Sequence, residues 1–202
     1  MLKKFFLSLF ALVIFFPAVS QAAFSDVPQG HWAYNSVSLL EKDGVIPSGG
    51  TFNGNANATR YDMAIMISGL FDKVAKEKVS GNNTFSDVPK NNPAYHAVET
   101  VAALEVVSGY GDGTFQGNKE ITRQELALAL NTFLDKGGIT VENVSSSFSD
   151  IPAGHWAYKP ISRMVTEGFM DGYGDGTFKG DNKITKFELA MIIAKIDSKY
   201  FK

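Results

Sequence analysis

The chain has 202 residues, 45% hydrophobic and 20% charged, with 19 Lys and Arg against 21 Asp and Glu for a net charge of −2. A chain this apolar is not a disordered tail, and one this charged is not a multi-span membrane protein. The weakly acidic balance lacks the clustered Lys and Arg on which nucleic-acid affinity rests, and the absence of Cys excludes disulfides, thiolate metal sites, a Cys nucleophile and a lipid-modified N-terminal Cys.

Residues 1–22 read as a secretory signal. Lys3 and Lys4 charge the start, Phe5 to Phe16 is apolar except for Ser8, Pro17 breaks the run, and Ala18 to Ala22 supplies small residues for cleavage near Ala22. The apolar run falls well short of the ~20 residues a spanning helix needs. The expected mature chain therefore lies outside the cytoplasm and carries no transmembrane segment.

Beyond the leader the sequence repeats itself. Phe24-Ser-Asp-Val-Pro28 returns as Phe85-Ser-Asp-Val-Pro89 and as Phe148-Ser-Asp-Ile-Pro152, so that copy starts lie 61 and 63 residues apart. Each start is followed by an Ala-Tyr pair: Ala33-Tyr34, Ala94-Tyr95 and Ala157-Tyr158. Gly109-Tyr-Gly-Asp-Gly-Thr-Phe-Gln-Gly117 matches the segment from Gly172 to Gly180 at every position but one. The copies span 24–71, 85–134 and 148–196, joined by polar connectors at 72–84 and 135–147 that read as solvated, with a tail at 197–202.

Each copy predicts the same elements in order. The Phe-Ser-Asp-Val segment reads as short and extended, ended by Pro, which biases its predecessor away from helix. A first helix follows, with Tyr34, Val37 and Leu40 on one face in copy 1 and Tyr158, Ile161 and Val165 in copy 3, ended by Gly44 and Gly168. A glycine-rich loop turns the chain back. The second helix opens on Thr59, Thr122 or Thr185, with Asp62, Glu125 or Glu188 three residues on, as in a capping box; Asp62, with its shorter arm, is the weakest example. Met63, Met66, Ile67, Leu70, Phe71 and Val74 then recur at helical spacing, a pattern that allows this helix to run on through Val79 before Gly81 breaks it. One helix pair cannot cover its own apolar face, so the copies are expected to pack on one another in a mainly α fold of three helix-hairpin repeats with short extended segments and Gly-rich loops.

These residues as a set resemble the surface-layer homology (SLH) module, in which three tandem copies form one bacterial cell-wall anchor. The Phe-Ser-Asp-Val starts, His31-Trp32-Ala33-Tyr34, His155-Trp156-Ala157-Tyr158, Gly-Tyr-x-Asp-Gly-Thr-Phe and the Thr-Arg-x-Glu helix opening carry the resemblance, from Phe24 to about Ile196. It implies a pseudo-threefold helical bundle whose inter-copy grooves bind wall carbohydrate: a secondary polymer bearing pyruvate ketals, or modified peptidoglycan. The implied ligand residues are Asp26, Asp87 and Asp150; Trp32 and Trp156; Arg60, Arg123 and Lys186; and Gly109, Tyr110, Gly172 and Tyr173. A guanidinium can grip the carboxylate of a pyruvylated sugar bidentately, and Lys186 replaces it in copy 3 without the planar fork. Copy 2 has no Trp, and copy 1 lacks two loop residues and the Tyr-x-Asp, so at most two good sites are expected.

Structural readings stand beside these. The repeated Asp serves equally well to satisfy backbone N–H groups of a turn, and the tryptophans to wedge between copies. Arg60 and Arg123 sit in a first helical turn, where the dipole disfavours cations, so they face either an anion or a neighbouring copy's carboxylate. Asp171, Asp175 and Asp181 fit a calcium loop poorly and turn formation better. No acidic pair, nucleophile elbow or His-x-x-x-His pattern marks an enzyme, and no metal or cofactor is implied. The leading expectation is a secreted, wall-associated glycan-binding module; the alternatives are an assembly protein docking to another envelope protein and, less favoured, a wall hydrolase.

Overall fold

The computed structural model describes residues 24–75, 79, 82 and 84–202; the expected leader lies outside them. Among these residues six helices follow in chain order: α1 (Tyr34–Lys42), α2 (Arg60–Val74), α3 (Tyr95–Ala103), α4 (Arg123–Lys136), α5 (Tyr158–Thr166) and α6 (Lys186–Tyr200). The fold is mainly helical, with three repeats of a helix pair, as expected.

All three second helices begin with a complete capping box. Asp62 forms its box despite the shorter arm, accepting the Thr59 backbone N–H at 2.9 Å and its hydroxyl at 2.7 Å. The first helices start by another device. His31 Nδ1 accepts the Ala33 N–H at 3.2 Å, His155 Nδ1 accepts that of Ala157 at 3.2 Å, and in copy 2 Asn92 Oδ1 accepts that of Ala94 at 2.8 Å. Asn thus substitutes for His because both offer an acceptor at the same reach. At the far end, Gly44 and Gly168 adopt φ of 72° and 74°, and the next N–H reaches back to Leu40 and Met164, each at 2.8 Å. In copy 2 a Glu, Glu105, holds that left-handed place at φ 54°.

Four local expectations change. The Phe-Ser-Asp-Val segments are tight turns rather than extended, closed by Val27 N–H to Phe24 O at 3.0 Å and its equivalents, because the Asp side chain is drawn to a distant loop. α2 stops at Val74, with Ala75 extended at ψ 134° and Val79 outside any helix; beyond Val74 the sequence Ala-Lys-Glu-Lys has no large apolar side chain to bury. The segment expected as a tail starts inside α6, where Asp197 is fully buried. The connectors are tied down at several points. Buried Glu99 accepts the backbone N–H groups of Asn82 and Thr84, and Arg163 donates to Ile139 O.

Packing crosses the copy boundaries. α3 lies on α2, α5 on α4, and α1 closes the ring on α6, while α2 also meets α4 and α6. Periodicity placed Leu40, Ile67, Leu70, Leu126, Leu130 and Ile193 on core faces, and all are fully buried. At the centre three backbone bonds form a ring: Ala58 N–H to Ile184 O at 2.7 Å, Ile184 N–H to Ile121 O at 3.4 Å, and Ile121 N–H to Ala58 O at 3.0 Å. The residue before each capping threonine therefore bonds its two counterparts, and the three copies meet on a pseudo-threefold axis.

Candidate functional site

Each second helix begins against the glycine loop of the next copy, making three clasps: copy 1 on copy 2, copy 2 on copy 3, and copy 3 on copy 1. Helix N-termini carry N–H groups with no intrahelical partner, and here the loop carbonyls take them. Arg60 and Tyr61 donate to Lys119 O and Gly117 O at 2.9 and 2.9 Å; Arg123 and Gln124 donate to Asn182 O and Gly180 O at 3.0 and 3.0 Å; Lys186 and Phe187 donate to Ala56 O and Gly54 O at 3.0 and 2.9 Å.

The side chains finish the clasps differently. Arg60 donates from Nε to Phe115 O at 2.8 Å and from Nη2 to Ser108 O at 2.9 Å. Arg123 repeats the grip on Phe178 O and Asp171 O, at 3.1 and 2.6 Å. The first-turn arginines thus escape the unfavourable dipole by bonding carbonyls of the next copy, not a carboxylate. Burial pulls the Arg60 guanidinium below its ordinary value, a pull that Tyr110, Glu125 and Asp87 oppose. Lys186, a point charge without a fork, turns instead to Asp62 Oδ1 at 3.2 Å.

The repeated aspartates hold the loops. Asp26 accepts the N–H groups of Phe52 and Asn53 at 2.8 and 2.7 Å; Asp87 accepts those of Phe115 and Gln116 at 2.7 and 2.8 Å; Asp150 accepts those of Phe178 and Lys179 at 2.8 and 2.7 Å. In each pair the second residue is left-handed, with φ of 55°, 54° and 53°. Burial pulls the Asp26 and Asp150 carboxyls upward, but the backbone N–H groups outweigh it and hold both below their ordinary value. Both oxygens of each are thus taken up within the copy. Gly109 and Gly172 are explained by packing, since a Cβ there would lie 2.2 and 2.1 Å from the rings of Phe85 and Phe148.

The remaining candidates face outward. The Tyr110 ring lies between the Arg60 guanidinium at 5.1 Å and the Lys119 ammonium at 4.6 Å; Tyr173 lies between Arg123 at 5.2 Å and Lys179 at 4.3 Å. Trp32 and Trp156 are 61% and 55% exposed, too open for wedges, although Trp32 touches Phe187 of copy 3 edge-on at 5.3 Å. The would-be calcium residues are dispersed: the Asp175 carboxylate binds Thr177 and Lys179, and that of Asp181 binds Gln124. The loop lysines Lys119 and Lys179, which sequence reasoning missed, follow Phe115 and Phe178 at different distances, so comparison of the copies does not mark them.

Grooves open beside the clasps. At the first, a cavity of about 150 Å³ has Arg60 and Met63 of copy 1 facing Val107, Ser108, Glu125 and Leu128 of copy 2. Its pseudo-equivalent at the third, about 220 Å³, sets Lys186 against Ile46, Pro47, Asp62 and Ile65 of copy 1. The copies distribute their chemistry unevenly. The first clasp has Arg60 and Tyr110 with Pro93 where Trp would stand, the third has Lys186 and Trp32 without a Tyr, and the second alone has Arg123, Tyr173 and Trp156.

The chain matches the S-layer homology domain over residues 23–64, 84–127 and 147–190. It is 35% identical over 150 residues to a cellulosome-anchoring protein of Acetivibrio thermocellus, covering 72% of this chain and 33% of that protein. It is 27% identical over 187 residues to an S-layer protein of Bacillus licheniformis, covering 92% of this chain and 21% of that one. It is also 31% identical over 181 residues to an uncharacterized cell wall amidase of Bacillus anthracis, covering 87% and 32%. The chain thus spans about a third or less of the length of these relatives. Three tandem matches, one on each helix pair and its loop, place the chain in the S-layer homology domain family.

Proposed function

We propose that the chain is a non-covalent, non-catalytic anchor of the bacterial cell envelope that acts outside the cytoplasm and holds wall polysaccharide in the grooves beside its clasps. The observation that carries this reading is that two pseudo-equivalent grooves each set a cation from one copy against an apolar wall from the next. A carboxylate with a methyl beside it, as in a pyruvate ketal, matches that pairing of charge and apolar surface. Modified peptidoglycan is the other glycan of the same reading. The names of the cellulosome-anchoring protein and the S-layer protein support a place at the cell surface, and among the described residues no helix is long and apolar enough to cross a membrane.

The second clasp is the favoured site by composition, because the two copies that meet there carry Arg123, Tyr173 and Trp156 between them, with Tyr173 against the Arg123 guanidinium. Nη1 is the Arg123 nitrogen not spent on the loop carbonyls, and the Trp156 indole, exposed to solvent, offers a plane to the C–H face of a sugar. The aspartates and glycines act at one remove, by shaping the loops. At the third groove, the Asp62 carboxylate competes with any anionic ligand for Lys186.

The test is sedimentation with purified wall sacculi before and after acid extraction of secondary polymer. Retention by untreated sacculi, lost on extraction, is expected for the pyruvylated polymer; retention by both indicates peptidoglycan. Arg123→Ala should weaken retention at least tenfold if a charge-assisted bond is lost. Retention by neither preparation would overturn the reading, and release of soluble sugars or peptides would reinstate a hydrolase.

A further inference from the structure

Comparison of the copies singles out a seam that the clasps leave unexplained. α3 buries Ala97, Glu99 and Thr100, and α5 buries Pro160, Ser162 and Arg163, whereas the equivalent Ser36, Ser38 and Leu39 of α1 are only half-buried. Two features close the first two seams. A side-chain bridge spans each of them: His96 Nε2 meets Asp72 Oδ2 at 2.8 Å between α3 and α2, and Arg163 Nη1 meets Asp135 Oδ1 at 2.6 Å between α5 and α4. Described residues of the connector leading into each helix then bond to it. Glu99 accepts from Asn82 N–H, Thr84 N–H and the Thr84 hydroxyl at 2.7, 2.9 and 2.9 Å. On α5, Arg163 donates to Ile139 O, and the Ser146 and Ser162 hydroxyls meet at 2.8 Å.

Between α1 and α6 the bridging positions hold Asn35, Leu39 and Ser198, which form no such bridge; the charged link of this seam lies at the end of α1 instead, where Lys73 of α2 meets Asp43 at 2.8 Å and Asp197 of α6 at 2.6 Å. A cleft of about 630 Å³ opens there, with Leu39, Phe169 and Ala194 on its wall and Lys195 and Lys199 at its rim. The Glu167 carboxylate nearby is already held by Arg163, Tyr200 and Lys199. Lys195 donates only to Gly168 O, at 2.9 Å, and pairs with no carboxylate among the described residues.

We propose that this seam docks an extended polypeptide segment of a partner protein, set against α1 as Asn82 and Thr84 are against α3 and Ile139 and Ser146 are against α5. The segment places an aliphatic side chain on half-buried Leu39, a carboxylate at Lys195, and hydroxyl or amide groups at Ser36 and Ser198. The other two seams supply the template, since what fills them is chain of this character. A sugar is the poorer occupant: the one aromatic ring on the wall, Phe169, is 2% exposed and offers no stacking plane. The site lies away from the glycan grooves and stands or falls independently of them.

The probe is a synthetic peptide of residues 139–147, which carries an isoleucine, Glu142 and three serines, titrated into the ¹⁵N-labelled protein. Saturable shifts are expected at the amides of Ser36, Leu39, Lys195 and Ser198. They should weaken about fivefold when Glu142 in the peptide is replaced by Gln. They should disappear in Leu39→Arg/Ser198→Asp, which rebuilds the bridge of the second seam and should have a Tm no lower than the parent. Lys195→Glu reverses the rim charge without touching the core and should abolish binding even if that double variant fails to fold. Absence of saturable shifts, shifts at other amides, or equal binding by Lys195→Glu would overturn the proposal. Saturation of these amides by glucuronate but not by the peptide would assign the seam to glycan and overturn it as well.

Discussion

Arg123 and Lys186 occupy the same first-turn position of α4 and α6, and each helix gives its first two N–H groups to the loop of the following copy. Beyond that shared frame the two clasps part. Arg123, 9% exposed, grips two loop carbonyls and stacks on Phe178 at 4.4 Å. Lys186 grips no carbonyl and pairs with Asp62 across the seam. The backbone bonds alone therefore suffice to close the ring at the third clasp, and the side chain decides only how tightly the loop is held and what charge it shows. Where the fork is kept, the next loop also keeps its Tyr; where it is lost, that loop is two residues shorter and its Tyr is gone.

The comparison breaks most visibly on removal of the two cations. Arg123→Ala leaves the Phe178 and Asp171 carbonyls without their charged donor in a buried setting and should cost about 2–4 kcal/mol in urea unfolding. Lys186→Ala removes a single, partly buried ion pair of 3.2 Å and should cost less than about 1 kcal/mol. Equal losses would mean that the fork contributes nothing beyond the backbone clasp. A double-mutant cycle over Lys186→Ala and Asp62→Asn sharpens the same contrast: their coupling should stay below about 1 kcal/mol. A larger value would make that ion pair a true substitute for the arginine grip.

Much of this was legible in residues read one copy against another. The capping threonines, the apolar stripes and Gly44 and Gly168 announce where helices start, what they bury and where they end, because those signals are local. The helix partners were not: periodicity tells which face of α1 is apolar, not that α6 of the third copy covers it. The turn at Phe24 to Val27 is not legible locally, because its Asp answers to Phe52 and Asn53, a contact no local pattern encodes. Arg60 and Arg123 drew attention for violating the dipole rule, and the violation was informative, yet their carbonyl partners lie 48 and 55 residues away. The capping role of His31 and His155 could have been read from Asn92, since His and Asn share little besides an acceptor at that distance.

The subtlest difference between the two regions concerns the aspartates that hold the loops. Asp26 and Asp150 make the same two backbone bonds and are both held below the ordinary value of 3.8. Each thus contributes stability that is present above that value and lost as pH falls through its lowered one. Their surroundings differ in sign: Lys186 lowers Asp26 further, whereas Asp175 raises Asp150. Asp175 is itself drawn down to about 2 by Thr177 and Lys179, so its charge persists well below the ordinary carboxylate range. On acidification the amides of Phe178 and Lys179 should therefore shift at a higher pH than those of Phe52 and Asn53, and the copy 3 loop should release first. Lys186→Ala should move the Asp26 midpoint upward, toward that of Asp150. If Asp26 titrates first, or is indifferent to that substitution, the Lys186 charge is fully neutralised by Asp62 and does not reach the neighbouring loop.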